Sequence, residues 1–238
     1  MKQLLTVMFV CGAAFAQTKS TAASTAKKAP AAPARNLLDP STMKSTAPAE
    51  YKVKFVTTQG IILIAIHRAW APIGADRFYN LVRGKFFDGC AFFRVIPGFM
   101  AQWGLNPDPK VTAAWADHNI HDDPVKESNK RGYVTFAAAS SPNSRGTQLF
   151  INFKDNNFLD SQGFAPIGEV TEGMDVAEKF DSEYGGNPDQ PAIMQMGKSY
   201  IDKHMPKVDL IKTATIVPLT PPAATKSTTA TKSTTAKQ

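Results

Sequence analysis

Alternation of apolar and polar residues begins at Tyr51 and predicts that the chain enters a β-sheet there. Residues 51–56 place an apolar side chain at every second position, which is the period of a strand with one buried face. A Gln-Gly pair at 59–60 predicts a turn, and residues 61–66 form a nearly continuous apolar run typical of a core strand. The folded part therefore starts with two predicted strands joined by a turn.

Helical spacing of apolar residues replaces this alternation after Pro72. Apolar residues recur at helical spacing over 78–82, and Gly84 follows as a stop signal, so this segment is predicted to form a helix. A second, shorter helix is predicted over residues 173–180. Residues 106–129 are polar and rich in proline and aspartate, which predicts a long loop.

Further apolar runs predict the remaining strands. They cover residues 91–96, 99–103, 133–137, 147–153, 165–170 and 208–217. Six to eight strands with only two or three helices predict a mainly β protein whose sheet closes into a barrel with helices at its openings. Closure would pair the first strand with the last and would leave no exposed sheet edge.

The first 16 residues have the organisation of a secretory signal peptide. Lys2 precedes an apolar run over residues 4–15, and an Ala-x-Ala motif predicts cleavage near Ala16. A buried N-terminal strand is the alternative interpretation. Removal of the signal would leave Cys90 as the one cysteine, so no intramolecular disulfide is predicted, and Cys90 is interpreted as a small buried residue rather than a nucleophile. We therefore expect an exported bacterial protein, periplasmic or secreted.

Composition divides the remaining chain into one domain and two biased segments. Residues 17–50 and 218–238 are rich in Ala, Ser, Thr and Lys and are predicted to be disordered, whereas residues 51–217 are predicted to form one domain. The formal net charge of +7 lies outside that domain, which carries 18 basic and 18 acidic residues. The basic segments are interpreted as solvated spacers or as a weak electrostatic tether to an anionic envelope surface, and no nucleic-acid partner is expected.

Motifs of several enzyme classes are missing from the sequence. It contains no Gly-x-Ser-x-Gly, no glycine-rich phosphate loop and no His-Glu-x-x-His. His118 and His121 lie among three aspartates, but their surroundings are polar and contain Pro124. This cluster is interpreted as a solvated loop, with a metal site as the less favoured alternative, and no metal is predicted.

Two segments bring an arginine and two amides together with aromatic residues. In the strand predicted over 91–96, alternation places Arg94 among apolar side chains on one face. A Pro-Gly turn then returns the chain, so that Gln102 would lie beside that face. A later strand presents Gln148 and Phe150 together. The residues therefore predict an apolar cup whose rim carries one arginine and two amides.

These segments resemble the signature of cyclophilin-type peptidyl-prolyl cis-trans isomerases. Residues 92–102 match the run Phe-x-Arg-x-Ile-Pro-Gly-Phe-Met-x-Gln, and residues 143–150 match Asn-x-x-Gly-Ser/Thr-Gln-x-Phe. A third match covers residues 158–170, and the resemblance extends in order over nearly all of residues 51–217. It implies a closed, eight-stranded antiparallel β-barrel capped by two helices. It also implies proline-containing polypeptide clients, no cofactor and a monomeric protein.

The resemblance implies a role for each site residue. Arg94 matches the catalytic arginine, and Gln102 matches the amide that supports the arginine and the substrate. Two further substrate-binding positions carry Phe158, where tryptophan is often found, and Phe164, where histidine is common. The remaining implied contacts are Phe99, Met100, Phe150 and Leu159 at the proline ring, and Ala138, Ala139 and Gln148 in the groove for the residues before proline. Trp103 stands where glycine usually follows the glutamine.

The function expected from this site is cis-trans isomerisation of X–Pro bonds in exported proteins, which assists their folding. Arg94 would stabilise the transition state without a covalent intermediate. A non-catalytic proline-binding adaptor or holdase that uses the same groove is the alternative, although binding alone would not require the arginine.

Overall fold

Eight strands form one antiparallel sheet in the computed structural model, which describes residues 36–218. The strands are β1 (Glu50–Thr57), β2 (Ile61–His67), β3 (Arg94–Ile96), β4 (Met100–Trp103), β5 (Tyr133–Phe136), β6 (Leu149–Asn152), β7 (Pro166–Glu172) and β8 (Ile211–Val217). Their order in the sheet is β3-β4-β6-β5-β7-β2-β1-β8. The mainly β, antiparallel architecture is therefore confirmed, and each strand overlaps a predicted apolar run.

The sheet is a curled half-barrel that stays open, so the prediction of a closed barrel is wrong. β1 does pair with β8, as predicted for the first and last strands, from Lys52 opposite Val217 to Thr57 opposite Ile211. These strands are neighbours within the sheet, however, and its edges are β3 and β8. β3 has only three residues. Just before β3 and β8, Ala91 pairs with Leu210 in an isolated antiparallel bridge, and the two strands do not form a continuous ladder. The two edges are therefore not joined along their length.

Five α-helices lie within residues 36–218, so the prediction of two capping helices is wrong in number. They are α1 (Pro72–Arg83), α2 (Pro109–Trp115), α3 (Met174–Ala177), α4 (Gln190–Met196) and α5 (Lys198–His204), and two 3₁₀ helices cover Pro40–Thr42 and Asn157–Gln162. α1 begins at Pro72 and is followed by Gly84, as predicted. α3 is shorter than its prediction. None of these helices is long and apolar enough to cross a membrane.

The helices that sequence analysis missed are short, and two of the three begin at capping aspartates. α2 lies in the segment predicted as a loop, and α4 and α5 follow α3 before β8. Each has seven residues, which is too few for apolar periodicity to stand out. The local signals are instead Asp108 and Asp189, whose carboxylates accept hydrogen bonds from backbone N–H groups of the first turns of α2 and α4.

Aromatic side chains form the core against which the curled sheet packs. Trp103 is fully buried, with its ring centroid 5.7 Å from that of Phe55 in an edge-on contact and 5.6 Å from that of Phe92. Because side chains alternate along β4, Trp103 points to the side opposite Gln102. The tryptophan that replaces the glycine common in the family therefore packs in the core. Cys90 is also fully buried, and burial raises the pKa of its thiol, which agrees with its interpretation as a small core residue.

Residues 36–49 pack against this core, although they belong to the segment predicted to be disordered. Met43 and Ala47 are buried. The backbone N–H of Ala47 donates to Asp76 Oδ1 at 2.8 Å, and the indole N–H of Trp115 donates to the carbonyl of Leu37 at 2.9 Å. The prediction of disorder is therefore wrong for residues 36–50. The predicted signal peptide, the rest of that segment and residues 219–238 lie outside the described residues.

Candidate active site

A cavity of about 600 Å³ opens beside β3, β4 and β6. Ten of the eleven predicted site residues line it. They are Arg94, Phe99, Met100, Gln102, Ala138, Ala139, Gln148, Phe150, Leu159 and Phe164. Residues that are distant in sequence thus meet around one space, which is large enough for several residues of an extended peptide.

Strand register places the polar residues of the cavity on one face. Arg94 in β3 lies opposite Gln102 in β4, and Gln102 lies opposite Phe150 in β6. Directly opposed residues of antiparallel strands project to the same side of the sheet. Arg94, Gln102 and Phe150 therefore lie on one face of three neighbouring strands, as the alternation predicted for the arginine and the amide.

Hydrogen bonds fix the orientation of Arg94 and both amides. The guanidinium donates from Nη1 to Gln102 Oε1 at 3.1 Å, and Gln102 donates from Nε2 to Gln148 Oε1 at 2.8 Å. A second bond runs from Arg94 Nε to the carbonyl of Gly186 at 2.7 Å. Burial lowers the pKa of the Arg94 guanidinium, but an arginine still carries its charge at neutral pH. The cavity therefore contains an oriented, half-buried cation.

Apolar side chains form a pocket next to this cation. Met100, Phe150 and Leu159 are buried and form one hydrophobic cluster, against which Phe99 and Phe164 pack. The rings of Phe150 and Phe164 meet edge-on with their centroids 5.9 Å apart. An apolar ring bound here would lose its contact with water while remaining close to a hydrogen-bond donor.

A buried polar network supports the pocket from behind, and sequence analysis missed it. Asn129 donates from Nδ2 to Asp160 Oδ1 and to the carbonyl of Phe164, both at 2.8 Å. Asn156 donates from Nδ2 to the carbonyl of Phe99 at 3.0 Å and to Asn152 Oδ1 at 2.8 Å. Two walls of the pocket are therefore held through their backbones by buried asparagines, whose role no sequence motif indicated.

Asp160 is the charged member of this network. Burial by itself would raise the pKa of its carboxyl group, but hydrogen bonds from the Ser128 hydroxyl and from the side chain and backbone of Asn129 outweigh burial and lower that pKa. The carboxylate is thus bound in its ionised form.

The loop between β5 and β6 carries Ala138 and Ala139 along the cavity. Both alanines are exposed, and the backbone N–H of Ala139 donates to the Ser144 hydroxyl at 2.9 Å. Arg145, in the same loop, is 2% exposed and contacts Asp122 and Asp123. The carboxylates from the His118 and His121 region therefore anchor this loop.

One predicted site residue does not line the cavity. Phe158 has an exposed fraction of 53% and stacks on Phe99 with ring centroids 5.9 Å apart. Conversely, several lining residues were not predicted. Trp115 comes from α2, and Gln190 and Met194 come from α4. These contributions were missed together with the helices that carry them.

Comparison with known proteins identifies the class to which this fold and cavity belong. The family model of cyclophilin type peptidyl-prolyl cis-trans isomerase matches residues 52–198. Solved structures are similar in fold. A cyclophilin type isomerase from Cryptosporidium parvum aligns with a TM-score of 0.55 at 20% identity, over 72% of this chain and 99% of that one. A cyclophilin from Hirschia baltica aligns with a TM-score of 0.53 over 71% and 75%.

Bacterial relatives agree with this match in sequence. A peptidyl-prolyl cis-trans isomerase of Acinetobacter baylyi is 37% identical over 156 residues, which cover 58% of this chain and 78% of the relative. Peptidyl-prolyl cis-trans isomerase B of Escherichia coli is 31% identical over 67% of this chain and 94% of its own length. The chain belongs to the cyclophilin-type peptidyl-prolyl cis-trans isomerases. It is therefore an enzyme, and isomerisation takes precedence over the adaptor alternative.

Proposed function

We propose that the chain accelerates the rotation of X–Pro bonds by binding the proline ring in the apolar pocket beside Arg94. Met100, Phe150 and Leu159 would hold the ring, with Phe99 and Phe164 at its sides. The loop with Ala138 and Ala139, together with Gln148, would contact the residues before proline. Phe158 would act only at the rim, through Phe99. The observation that carries this proposal is the oriented guanidinium next to a pocket of apolar side chains.

The size of the required rate enhancement fits a non-covalent mechanism. Rotation about a peptide bond has a barrier of about 18–20 kcal/mol, and uncatalysed X–Pro isomerisation takes roughly 10–100 s. Shortening this to milliseconds requires on the order of 10⁴-fold acceleration, or about 5–6 kcal/mol. A preorganised donor in a site shielded from water contributes about 3–4 kcal/mol of such stabilisation. Fixing the substrate geometry can supply the remainder.

The transition state explains why a fixed guanidinium would be effective. When the X–Pro bond is twisted, amide resonance is lost and the prolyl nitrogen becomes a better hydrogen-bond acceptor. Arg94 would donate to the carbonyl of the proline residue and favour the pyramidal nitrogen, while the ring stays anchored and the preceding carbonyl swings. This interaction is stronger in the twisted state than in either planar isomer, and only such differential binding raises the rate.

Substitution of Arg94 tests this mechanism. Arg94→Ala should lower kcat/KM in a protease-coupled proline-peptide assay by on the order of 10²-fold, because it removes the donor that acts on the transition state. The variant should remain folded, since Arg94 is only half-buried and carries no ion pair within residues 36–218.

Arg131→Ala is the matched control for this experiment. It removes an arginine that forms an exposed ion pair with Glu178, with Nη2 2.7 Å from Oε1. Its kcat/KM should stay within about twofold of the parent protein, because exposed pairs contribute little. An unchanged kcat/KM in Arg94→Ala would refute the proposed role of the guanidinium.

We also propose that the protein acts outside the cytoplasm on exported clients. This proposal rests on the sequence of residues 1–16, with its basic start, apolar run and Ala-x-Ala motif. Expression of the full chain in a bacterium should give a periplasmic or secreted product whose mass corresponds to a chain starting at Gln17. Ala14→Leu together with Ala16→Leu should block processing. Recovery of the unprocessed parent chain from the cytoplasm would contradict export.

The basic segments would tether the mature protein weakly to anionic envelope surfaces. In the same fractions, envelope association should fall as salt is raised, because exposed charges are screened over about 10 Å at 0.1 M ionic strength. Replacing Lys226, Lys232 and Lys237 with Gln should weaken that association without changing isomerase activity. If envelope association changed neither with salt nor with these substitutions, the tether would be refuted and the segments would be solvated spacers.

A further inference from the structure

Arg94 is held from two directions by chain segments that are far apart in sequence. Gln102, eight residues away on β4, accepts from Nη1, and Gly186, 92 residues away, accepts from Nε through its backbone carbonyl at 2.7 Å. Gly186 lies in the loop between α3 and α4, residues 178–189. A guanidinium is planar with donors in fixed directions, so two bonds on adjacent nitrogens define its orientation. These two bonds use Nε and Nη1, so the N–H groups of Nη2 can donate to a substrate.

The carbonyl of Gly186 belongs to a loop that is anchored at both ends. At its start, the backbone N–H of Asp181 donates to Asp209 Oδ2 at 2.7 Å. Tyr184 accepts at its hydroxyl from the backbone N–H of Lys207 at 3.1 Å. At its end, α4 buries Ile193 in a hydrophobic cluster that also contains Phe93, the residue directly before Arg94. The loop and β3 are therefore fixed against one another.

A side chain at position 186 would meet the end of the Ile96 side chain on β3. A Cβ atom at this position would lie 2.8 Å from Ile96 Cδ1 and 3.4 Å from Ile96 Cγ1. The backbone at Gly186 does not have a positive φ, so alanine is compatible with its conformation, and the obstacle is the contact with Ile96. Ile96 is two residues beyond Arg94 on β3. An added methyl group would thus require the Ile96 side chain or the loop to shift, beside the strand that carries the arginine.

We propose that Gly186 is a positioning residue of the isomerase, whose backbone carbonyl holds the guanidinium of Arg94 in the orientation that acts on the substrate. The inference rests on the proposed function of Arg94. The loop carrying Gly186 leads directly into α4, which supplies Gln190 and Met194 to the cavity wall. The segment between α3 and β8 therefore contributes to the site through a contact that no motif contains.

Gly186→Ala tests this role because it changes the spacing between the loop and β3 without replacing a side chain that lines the cavity. We expect kcat to fall by about tenfold with KM changed less than twofold, since a displaced guanidinium affects the transition state more than substrate binding. Asn187→Ala is the control, because Asn187 is the exposed neighbour in the same loop, and its kcat should equal that of the parent protein.

A second-site substitution separates positioning from general damage. Ile96→Val removes the Cδ1 atom that the new methyl group would meet, so the double variant Gly186→Ala/Ile96→Val should recover most of the kcat of Ile96→Val alone. Failure of this recovery would overturn the inference, because the loss would then not arise from the contact between the loop and β3.

A spectroscopic measurement reads the contact independently of activity. The Nε–H signal of Arg94 in ¹⁵N nuclear magnetic resonance, assigned by its loss in Arg94→Lys, should exchange slowly in the parent protein and at least tenfold faster in Gly186→Ala. Unchanged Nε–H exchange in Gly186→Ala would overturn the inference about Gly186 but not the proposed function. The same holds if Gly186→Ala keeps its kcat while Arg94→Ala loses activity. Full activity of Arg94→Ala would overturn the proposed function as well.

Discussion

Asp160 illustrates how single residues outside the cavity determine its shape. Its carboxylate accepts hydrogen bonds from the Ser128 hydroxyl at 2.5 Å, the Asn129 backbone at 2.9 Å and the Asn129 side chain at 2.8 Å. Asn129 in turn holds the carbonyl of Phe164, which is part of the pocket wall. Because these bonds favour the ionised carboxyl group, the network is tied to the protonation state of one residue.

Asp160→Asn should therefore change the pH dependence of stability. The pKa of Asp160 lies below its ordinary value of 3.8 in the folded protein, so its contribution is complete above that value and is lost as pH falls through the lower folded value. The variant should lose about 1–2 kcal/mol of unfolding free energy near neutral pH. It should also show a smaller decline below about pH 5. Urea unfolding at several pH values measures both effects.

Asp175→Asn provides the reference for that measurement. Asp175 is 76% exposed and pairs with Lys179 along one helix turn at 3.3 Å. Its substitution should change stability by less than about 1 kcal/mol. Equal losses for the two variants, or an unchanged pH profile in Asp160→Asn, would contradict the role of the network.

At the scale of elements, α1 is joined to the loop that carries Ala138 and Ala139 by a buried ion pair. Asp123 accepts from the backbone N–H groups of Ile73 at 3.0 Å and Gly74 at 2.8 Å, at the start of α1. The same carboxylate accepts from Arg145 Nη1 at 3.1 Å, and the exposed fractions of the two side chains are 1% and 2%. One carboxylate thus caps the helix and fixes the loop.

Asp123→Ala should destabilise the protein by about 3–5 kcal/mol, because it leaves a buried arginine without its closest charge partner. Asp122→Ala is the matched comparison, since that carboxylate is 39% exposed and lies 3.2 Å from the same arginine. Its loss should cost about 1 kcal/mol. Equilibrium unfolding in urea compares the two variants, and similar losses would show that burial of the pair is not decisive.

At the scale of the whole molecule, the folded unit begins before the first strand. Met43 is buried in the main core together with Ala47, and Asn80 of α1 both accepts from the backbone of Ser45 and donates to it. Residues 36–49 therefore complete the packing around α1. A domain boundary placed at residue 51 removes part of the core.

Met43→Ala should accordingly lower the unfolding free energy by about 2–4 kcal/mol, as expected for truncation of a buried methionine. Leu38→Ala, in the same segment but with an exposed fraction of 55%, should cost less than about 0.5 kcal/mol. Thermal and urea unfolding of the two variants measure this contrast. If Met43→Ala were neutral, the segment would not belong to the folding unit.

Local sequence patterns were enough to predict the strands, α1, the shared face of Arg94, Gln102 and Phe150, and the family. These features are local: alternation with period 2 defines a strand and its faces, and a contiguous motif carries its own spacing. The resemblance to the cyclophilin family named ten cavity residues before any distance was known. The same resemblance placed Phe158 in the site, because a matched motif does not reveal whether a ring turns toward the cavity or toward solvent.

Tertiary structure alone decided the features that join residues distant in sequence. The open sheet depends on β3 remaining an edge strand, the ordered segment 36–49 depends on contacts with α1, and Asn129 meets Asp160 across 31 positions. The carbonyl of Gly186 reaches Arg94 across 92 positions, from a loop that has no periodic pattern. Such contacts depend on how separate elements pack, and packing is set by the simultaneous fit of many side chains rather than by the order of residues in any one segment.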